Sequence, residues 1–375
     1  MVDPRISKQA EIIVDYSLNL QPGEEVVVNA SVEAIPLVRE LVRKIVEKEA
    51  YPLLIRLDDE SITEAFYKYA PHNVLTHVSI IEKEIVEKTN ASVSIISPSH
   101  TKPLVNIDPD KLKIRAQARR ELNKIFLERS AKGELKWVVT IYPTRALAQE
   151  AGMSISEYED FVFHALYADS ENPVAEWVRF GQELSKIAEF LNKVKELRFE
   201  GPGINLSLSV EGRKWISDDG KNNMPGGEVF TGPVEETVEG VVEFDYPAIW
   251  RGVEVEGVKL VFKNGRVVEA SARRGEEFLK KMINTDEGAS RLGEIAFGLN
   301  YNITRHTKEI LFDEKIGGTI HMALGASYPE TGGRNISSIH WDLIKDMSKG
   351  RVYADGVLVY ENGRFIILES LNPSG

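Results

Sequence analysis

Strand-like and helix-like segments alternate regularly from residue 25 to residue 142 of this 375-residue chain. Runs rich in β-branched residues lie at 25–29, 51–56, 91–97 and 136–142, and segments of helical period lie between them, at about 31–48, 61–88 and 110–131. Connections of this length join parallel strands, because an antiparallel hairpin needs only a few residues. The pattern therefore predicts an α/β domain with an open, mostly parallel sheet.

The sequence pattern changes near residue 195. Residues 154–195 have helical periodicity, whereas 204–210 alternate polar and apolar residues as a strand does. Two Asn-Gly pairs, at 264–265 and 362–363, predict β-hairpins over 258–270 and 356–368, and one helix is expected at 275–283. We therefore expect an α/β domain over residues 1–195 and a β-rich domain over residues 196–375.

Composition and missing motifs exclude several kinds of protein. A net charge of −12 argues against a nucleic-acid partner, and the first strand is not followed by the glycine-rich turn that binds nucleotides. The sequence has no apolar run long enough to cross a membrane and does not open as a secretory signal, so we expect a cytoplasmic protein. The absence of cysteine excludes thiolate metal sites and, with abundant Lys and Glu, indicates a thermophile.

Side chains that bind metals are concentrated between residues 318 and 343. In a strand over 339–343, His340 and Asp342 project to the same side, because side chains alternate along a strand. His321 lies in a similar apolar segment, and Tyr328 follows in a loop that glycines and a proline make irregular. One such histidine alone is more often a hydrogen-bonded core residue. The four together predict a site for a divalent metal ion.

Two acidic residues complete this site. Glu228 lies in a loop rich in glycine and proline over 222–237, and Glu294 lies in an apolar segment flanked by glycines. A buried Glu294 needs a cation or hydrogen-bond donors to stay ionised. Either residue alone is as readily an ordinary paired carboxylate. Glu235 and Glu236, in the same loop region as Glu228, are alternative candidates for the catalytic base.

These residues lie in long sequence strings that resemble the aminopeptidase T family, the two-metal aminopeptidases that include the staphylococcal and streptococcal enzymes of this type. The strings are Met224-Pro-Gly-Gly-Glu-Val-Phe-Thr-Gly-Pro, Gly293-Glu-Ile-Ala-Phe-Gly-Leu-Asn, Asp313-Glu-Lys-Ile-Gly-Gly-Thr-Ile-His and Ile339-His-Trp-Asp. The resemblance covers essentially the whole chain. It implies an α/β N-terminal domain, a β-barrel-like C-terminal domain that carries the metals, and a homodimer whose internal cavity admits only short peptides.

The resemblance also implies a role for each candidate residue. Glu294 bridges two divalent ions and Glu228 completes the coordination of one of them. The remaining ligands are His321, His340 and Asp342. Tyr328 matches the family's active-site tyrosine, which ligates a metal or stabilises the transition state. Zinc, cobalt, manganese and magnesium all suit such oxygen and nitrogen ligands, so the sequence leaves the metal open.

The predicted function is the removal of N-terminal residues from short peptides. Two ions about 3.5–4 Å apart can activate a shared water, and Glu294, or a carboxylate beside it, is the expected carrier of its proton to the leaving amine. One alternative is another two-metal hydrolase such as a phosphoesterase, for which only Arg334 and Lys315 offer nearby positive charge. The other is a non-catalytic, metal-stabilised dimer that binds peptides.

Overall fold

The computed structural model describes residues 3–250 and 252–366, which fall into two compact units. The first unit runs to Val178 and also includes Gly220–Pro225, and the second comprises Arg179–Asp219 and the described residues from Gly226 onwards. None of the helices in the described segments is both long and apolar enough to cross a membrane.

The α-helices are numbered in chain order. They are α1 Pro4–Glu11, α2 Ile35–Glu47, α3 Glu60–Tyr69, α4 His72–Thr76, α5 Ile80–Lys88, α6 Pro109–Ala118, α7 Arg120–Ala131, α8 Arg145–Glu150, α9 Ile155–Ala165, α10 Pro173–Leu191, α11 Glu276–Ile283 and α12 Ile310–Asp313. A π-helix, Ile12–Ser17, continues α1, and short 3₁₀ helices lie at Val32–Ala34 and Pro329–Thr331.

The β-strands follow the same numbering. They are β1 Glu25–Ser31, β2 Tyr51–Asp58, β3 Ala91–Ile96, β4 Lys136–Ile141, β5 Glu196–Gly201, β6 Ile204–Ser209, β7 Ile216–Asp218, β8 Asn223–Met224, β9 Glu228–Thr231, β10 Glu239–Glu243, β11 Ala248–Trp250, β12 Val253–Val255, β13 Lys259–Lys263, β14 Arg266–Ser271, β15 Leu292–Gly298, β16 Thr319–Gly325, β17 His340–Asp346, β18 Arg351–Ala354, β19 Val357–Glu361 and β20 Arg364–Phe365.

The first unit contains the predicted parallel sheet, with strand order β2-β1-β3-β4-β8. The α/β prediction for the N-terminal part is therefore confirmed. The helical segment predicted at 61–88 is divided into α3, α4 and α5. Pro71 accounts for the first break, because the residue before a proline avoids helical geometry, and Ala70 is indeed extended with φ −63° and ψ 124°.

The second unit is built on antiparallel strands. An eight-stranded sheet has the order β14-β13-β10-β6-β5-β18-β19-β20, a five-stranded sheet has the order β17-β16-β15-β9-β7, and β11 pairs with β12. Each of these sheets, over the residues described, is open with two ends. The expectation that the C-terminal part forms a barrel is therefore wrong. Only the expectation that it is β-rich is confirmed.

Both Asn-Gly turns join the predicted hairpins, β13–β14 and β19–β20. The turn residues Asn264 and Gly265 have φ of 49° and 72°, the left-handed region that such two-residue turns require. The second hairpin was predicted to reach residue 368, and residues 367 and 368 lie outside the described part of the chain. Turn chemistry thus fixed the pairing of these strands locally.

Phe297 links the two larger sheets of the second unit. It projects from β15, and its ring centroid lies 4.8–6.3 Å from the rings of residues carried mostly by the eight-stranded sheet, namely Phe199, Trp215, Tyr360 and Phe365. Burial of several aromatic rings in one cluster is a major source of stability. One face of β15 is therefore committed to the hydrophobic core, and only the other is free to build a site.

Candidate metal centre

The other face of the five-stranded sheet carries the predicted ligands. Glu294 on β15 pairs with Ala323 on β16, which pairs with Asp342 on β17. Directly paired residues project to the same side of a sheet, as do residues two apart on one strand. The same face therefore receives the side chains of Glu228, His321 and His340. Alanine between the two acids leaves room above the sheet.

A glycine positions Glu228 at the start of β9. Gly227 has φ +125°, and a Cβ atom on it would lie 2.6 Å from the Cβ of Asn300. Only glycine combines this backbone conformation with so close an approach. The pair Gly226-Gly227 thus brings Glu228 directly beside β15, where Glu228 pairs with Gly298.

A second glycine, Gly298, has no side chain and so leaves space for the chain around residue 316. That segment brings to the site a carboxylate that sequence reasoning did not assign to it. A Cβ atom on Gly298 would lie 2.3 Å from the carbonyl oxygen of Ile316, so the chain around residue 316 passes directly against β15. The backbone amide of Asn300 also donates to the carbonyl of Lys315 at 3.0 Å. This segment brings Glu314 and Lys315 to the predicted ligands.

Metal-binding side chains form two groups. Glu228, Glu314 and His321 form one, here called the lysine group because Lys315 lies beside it; Glu294, His340 and Asp342 form the other, the cavity group. In each group the three ligand atoms lie within 4.8 Å of one another. The name of the second group refers to a cavity of about 160 Å³ that is lined in part by His340 and Asp342.

Glu294 contacts both groups. Its Oε1 lies 3.3 Å from Nε2 of His321, and its Oε2 lies 3.2 Å from Nε2 of His340. The same nitrogens lie 3.3 Å from Oε2 of Glu228 and 3.5 Å from Oδ1 of Asp342. Such spacings are those expected between two ligands that are each about 2.0–2.2 Å from one tetrahedral ion.

Both histidines are oriented by backbone carbonyls. Nδ1 of His321 lies 2.9 Å from the carbonyl oxygen of Glu314, and Nδ1 of His340 lies 2.8 Å from that of Ala326. A carbonyl only accepts hydrogen bonds, so each Nδ1 carries a proton and donates it. Each Nε2 is thereby directed at the carboxylates, the arrangement that metal-binding histidines adopt.

Charges in the centre shift the histidine pKa values upwards. Burial disfavours the charged form of His321, but the hydrogen bond to Glu294 and the charge of Glu228 outweigh it and raise its pKa to about 10. In the same way, burial of His340 is outweighed by the charge of Asp342, and its pKa rises to about 12. Without an ion, protons on these histidines therefore balance the carboxylates, and a dication can replace them.

Two buried carboxylate oxygens indicate that the residues fit a metal. Within the described residues, Oε2 of Glu228 and Oδ1 of Asp342 are buried and accept no hydrogen bond, although a histidine nitrogen lies near each. A buried charged oxygen left in this way costs free energy unless it has a cation to bind. The donor set of carboxylates and imidazoles suits zinc and other borderline or hard divalent ions.

Lys315 is fully buried beside three carboxylates. Its Nζ lies 3.4 Å from Oδ2 of Asp218 and 3.4 Å from Oε1 of Glu228, and it also forms a short contact with Glu314. Burial alone would lower the pKa of Lys315, but the charges of the neighbouring carboxylates raise it well above its ordinary value. Lys315 is therefore an internal cation of the lysine group and does not project towards a phosphate.

Tyr328 lies at the border of the cavity group. Its ring centroid is 5.0 Å from that of His340 and 5.6 Å from that of Phe230, and 42% of the residue remains exposed. Burial of part of the residue, together with the charge of Glu294, raises the pKa of its hydroxyl above the ordinary value. The hydroxyl is therefore protonated at neutral pH and able to donate a hydrogen bond.

The two alternative bases are placed differently. Oε2 of Glu235 accepts a hydrogen bond from Nη2 of Arg213 at 2.5 Å, and its Oε1 accepts one from the backbone amide of Arg334 at 2.6 Å. Glu236 is exposed. Through its hydrogen bond with the amide of Arg334, Glu235 anchors the loop that carries Tyr328. Because both of its oxygens accept hydrogen bonds, we infer a structural role for this carboxylate.

The sequence contained one signal for Glu314 and Lys315. With Asp313 they form a charged triplet between apolar residues, six to eight positions before the histidine of the same string, His321. Charged residues next to each other are usually exposed, which is why the triplet alone does not indicate a site. Only the close approach of Ile316 to Gly298 brings them to the ligands.

Comparisons with known proteins agree with this site and fold. The chain is 31% identical over 357 residues to aminopeptidase 2 of Geobacillus stearothermophilus, covering 87% of this chain and 84% of the relative. It is 29% identical over 401 residues to aminopeptidase T of Thermus thermophilus, with 96% and 98% covered. The solved structure of wild-type AmpT from Thermus thermophilus matches with a TM-score of 0.84 at 28% identity, covering 96% of this chain and 99% of that one.

The resemblance inferred from the sequence strings is confirmed by these relatives and by a family model. That model, described as thermophilic metalloprotease (M29), matches residues 2–365. The match covers both units except for residue 1 and residues 366–375. The chain therefore belongs to the thermophilic metalloprotease (M29) family.

Proposed function

We propose that this protein is a metal-dependent aminopeptidase that removes N-terminal residues from short peptides. The relatives at 29–31% identity are named aminopeptidases, and the family is one of metalloproteases. In this proposal the lysine group and the cavity group each hold one divalent ion. Zinc, cobalt, manganese and magnesium are the candidate metals.

The position of Glu294 is the observation that best supports two ions. Its two oxygens face the histidines of different groups, at 3.3 Å and 3.2 Å, as the carboxylate of a bridging ligand would. Burial would raise the pKa of Glu294, but hydrogen bonds from His321 and His340 lower it, so the carboxylate is ionised. A non-catalytic, metal-stabilised protein has no need of an acid shared in this way.

Residues of the chain divide the catalytic tasks among them. Divalent ions bound here would polarise the scissile carbonyl and make water more acidic. His321 and His340 are held by backbone carbonyls and keep Nε2 available for a metal. Glu294 holds the proton taken from water and delivers it to the leaving amine. Tyr328 donates a hydrogen bond from its protonated hydroxyl to the carbonyl oxygen as negative charge develops there.

The phosphoesterase alternative loses one of its two basic residues. Lys315 is fully buried against carboxylates and cannot meet a phosphate. Arg334 remains, and one arginine is a weak basis for phosphate recognition. The homodimer, the exclusion of large substrates and the cytoplasmic location remain predictions from the sequence.

The test is the metal-dependent release of p-nitroaniline from amino-acid p-nitroanilides. We expect activity that a chelator abolishes and that one or more of the four metals restores. Glu294→Gln should lower kcat by about 10²–10⁴-fold, the contribution of a positioned acid–base group. Glu269→Gln, which changes an exposed carboxylate on β14, is the matched control and should leave kcat unchanged.

Two results would contradict the proposal. One is activity that persists after complete metal removal, verified by elemental analysis. The other is a folded Glu294→Gln variant with the kcat of the original protein, which would remove Glu294 from the mechanism.

A further inference from the structure

The cavity beside His340 and Asp342 lies entirely within the second unit, and the two ligand groups account for only two of its lining residues. Its volume is about 160 Å³. Besides these two residues, its lining includes the apolar side chains of Ala248, Ile249, Trp250, Ile310 and Ile344. These come from β11, β17 and the start of α12, so the cavity has walls on regular elements.

The location of the cavity follows from the geometry of the proposed substrate. In a peptide, one α-carbon carries the free amino group, the first side chain and the scissile carbonyl. If the amino group and carbonyl lie at the ligand groups, the first side chain must lie next to them. A cavity that shares His340 and Asp342 with the cavity group is in that position.

The cavity's size favours side chains up to that of phenylalanine. A protein cavity of about 150 Å³ lined by apolar residues accommodates benzene. The present cavity is of the same size, so it fits the branched chain of leucine or the ring of phenylalanine. The larger indole of tryptophan exceeds it, and alanine would leave most of it unfilled.

Charged groups of the lining are already paired. Nε2 of His306 lies 3.0 Å from Oδ2 of Asp313, and Nζ of Lys308 lies 3.1 Å from Oε2 of Glu254. A carboxylate entering the cavity would also approach Asp342. An acidic side chain would therefore lose hydration without gaining a free cation as its partner.

We propose that this cavity receives the side chain of the substrate's N-terminal residue and selects apolar side chains of leucine to phenylalanine size over small or acidic ones. The inference rests on the proposed aminopeptidase function and adds the specificity to it. Ile310 lies at the opening, since 45% of it is exposed while it also lines the cavity. It is a specificity-determining residue, and its exposure allows it to be enlarged with little risk to folding.

The experiment uses three substrates and three proteins. In the original protein, kcat/KM for leucine p-nitroanilide should exceed that for alanine and aspartate p-nitroanilides. Ile310→Trp should lower kcat/KM for leucine p-nitroanilide relative to the alanine substrate by about tenfold or more, mainly through KM, because the cavity no longer fits the larger side chain. Val268→Trp, at an exposed apolar residue on β14 outside the cavity, is the control and should leave the ratio unchanged.

Binding is measured separately from catalysis. L-leucine, the product of the first substrate, is titrated by calorimetry into the metal-loaded proteins. Its affinity should fall about tenfold or more in Ile310→Trp and stay the same in Val268→Trp. This titration has a result even if no nitroanilide is cleaved.

The outcomes separate the two proposals. If nothing is cleaved but leucine binding depends on Ile310 as expected, the proposed function fails and the cavity assignment stands. If cleavage is metal-dependent but Ile310→Trp affects the leucine and alanine substrates equally, the cavity assignment is overturned and the function stands. A preference of the original protein for aspartate p-nitroanilide would also overturn it.

Discussion

The two ligand groups are supported in different ways. The lysine group is balanced from within, by a fully buried cation that contacts Glu228 and Glu314. Within the described part of the chain, the ion pairs of the cavity group's carboxylates are with histidines and not with a lysine. The strand that carries His340 is held from outside, where Asp286 accepts hydrogen bonds from Ser338. We infer that the lysine group can keep its carboxylates together without a metal ion, whereas two residues of the cavity group line a cavity.

Removing the internal cation should have the largest effect. Lys315→Met removes the buried positive charge that Asp218, Glu228 and Glu314 share, and breaking buried ion pairs in this way costs about 3–5 kcal/mol. The free energy of unfolding of the metal-free protein, measured with urea, should fall by that amount. Added divalent metal should restore more stability in the variant than in the original protein, because it neutralises the same carboxylates.

Lys345→Met is the matched control for this prediction. Lys345 is also buried, but its partner Asp245 has a side chain that is 41% exposed and would remain hydrated. The control should therefore lose less stability. Equal losses in the two variants, or no loss in Lys315→Met, would show that the lysine group is not internally balanced.

Loss of one ligand from each group should have an intermediate effect. Glu314→Gln and Asp342→Asn are each expected to weaken metal binding by at least about 10–100-fold, since even partners of ligands contribute that much. Competition with a chelator measures the affinities. If the groups hold separate ions, each variant weakens a different one of two binding steps.

The result that contradicts two sites is equally clear. If both variants weaken one and the same step, and elemental analysis gives one ion per chain, the two groups form a single site. Glu330→Gln, an exposed carboxylate in the loop after Tyr328, should change neither step.

The smallest expected effect is on the free energy of unfolding, and it comes from Asp286, which supports the strand of the cavity group from outside. This contribution depends on pH. Burial alone would raise the pKa of Asp286, but hydrogen bonds from Ser338, Ser337 and Ala289 lower it to about 2. A carboxyl whose pKa is lower in the folded state stabilises that state above its unfolded pKa of about 3.9. This contribution is lost as the pH falls through about 2.

Asp286→Asn should therefore reduce stability by about 1 kcal/mol at pH 7, a modest amount because solvent screens a partly exposed group. The difference from the original protein should persist down to about pH 4 and vanish near pH 2. Urea unfolding across this range measures it, with Glu269→Gln as the control. A difference that is independent of pH would assign Asp286 a role other than its charge.

Local pattern predicted much of the fold. Strands β1, β3 and β4 were evident because β-branched residues alternate with helical segments, and the Asn-Gly turns identified two hairpins. Whether a β-rich domain closes into a barrel depends on pairing between strands far apart in the chain. Residue spacing does not record that pairing and predicted only a β-rich domain, whereas the barrel was an expectation from the family resemblance, which the open strand orders contradict.

The candidate site was predictable to a similar extent. Alternation placed His340 and Asp342 on one face, and the sheet register adds Glu294 and His321 to it. Glu314 was missed because it reaches the ligands through a tertiary contact, the passage of residue 316 against Gly298. Lys315 was predicted to lie near the ligands as a possible phosphate contact, but not as a buried cation, because the carboxylates that pair with it, Asp218, Glu228 and Glu314, are not all close to it in the sequence.

The strand that carries Glu294 also carries Phe297 on its reverse side, among the aromatic rings of the core. Heat cannot loosen this ligand without melting the packing behind it, so thermal inactivation and global unfolding should coincide. An enzyme built this way resists thermal inactivation, but the backbone at its candidate metal centre has little freedom to move.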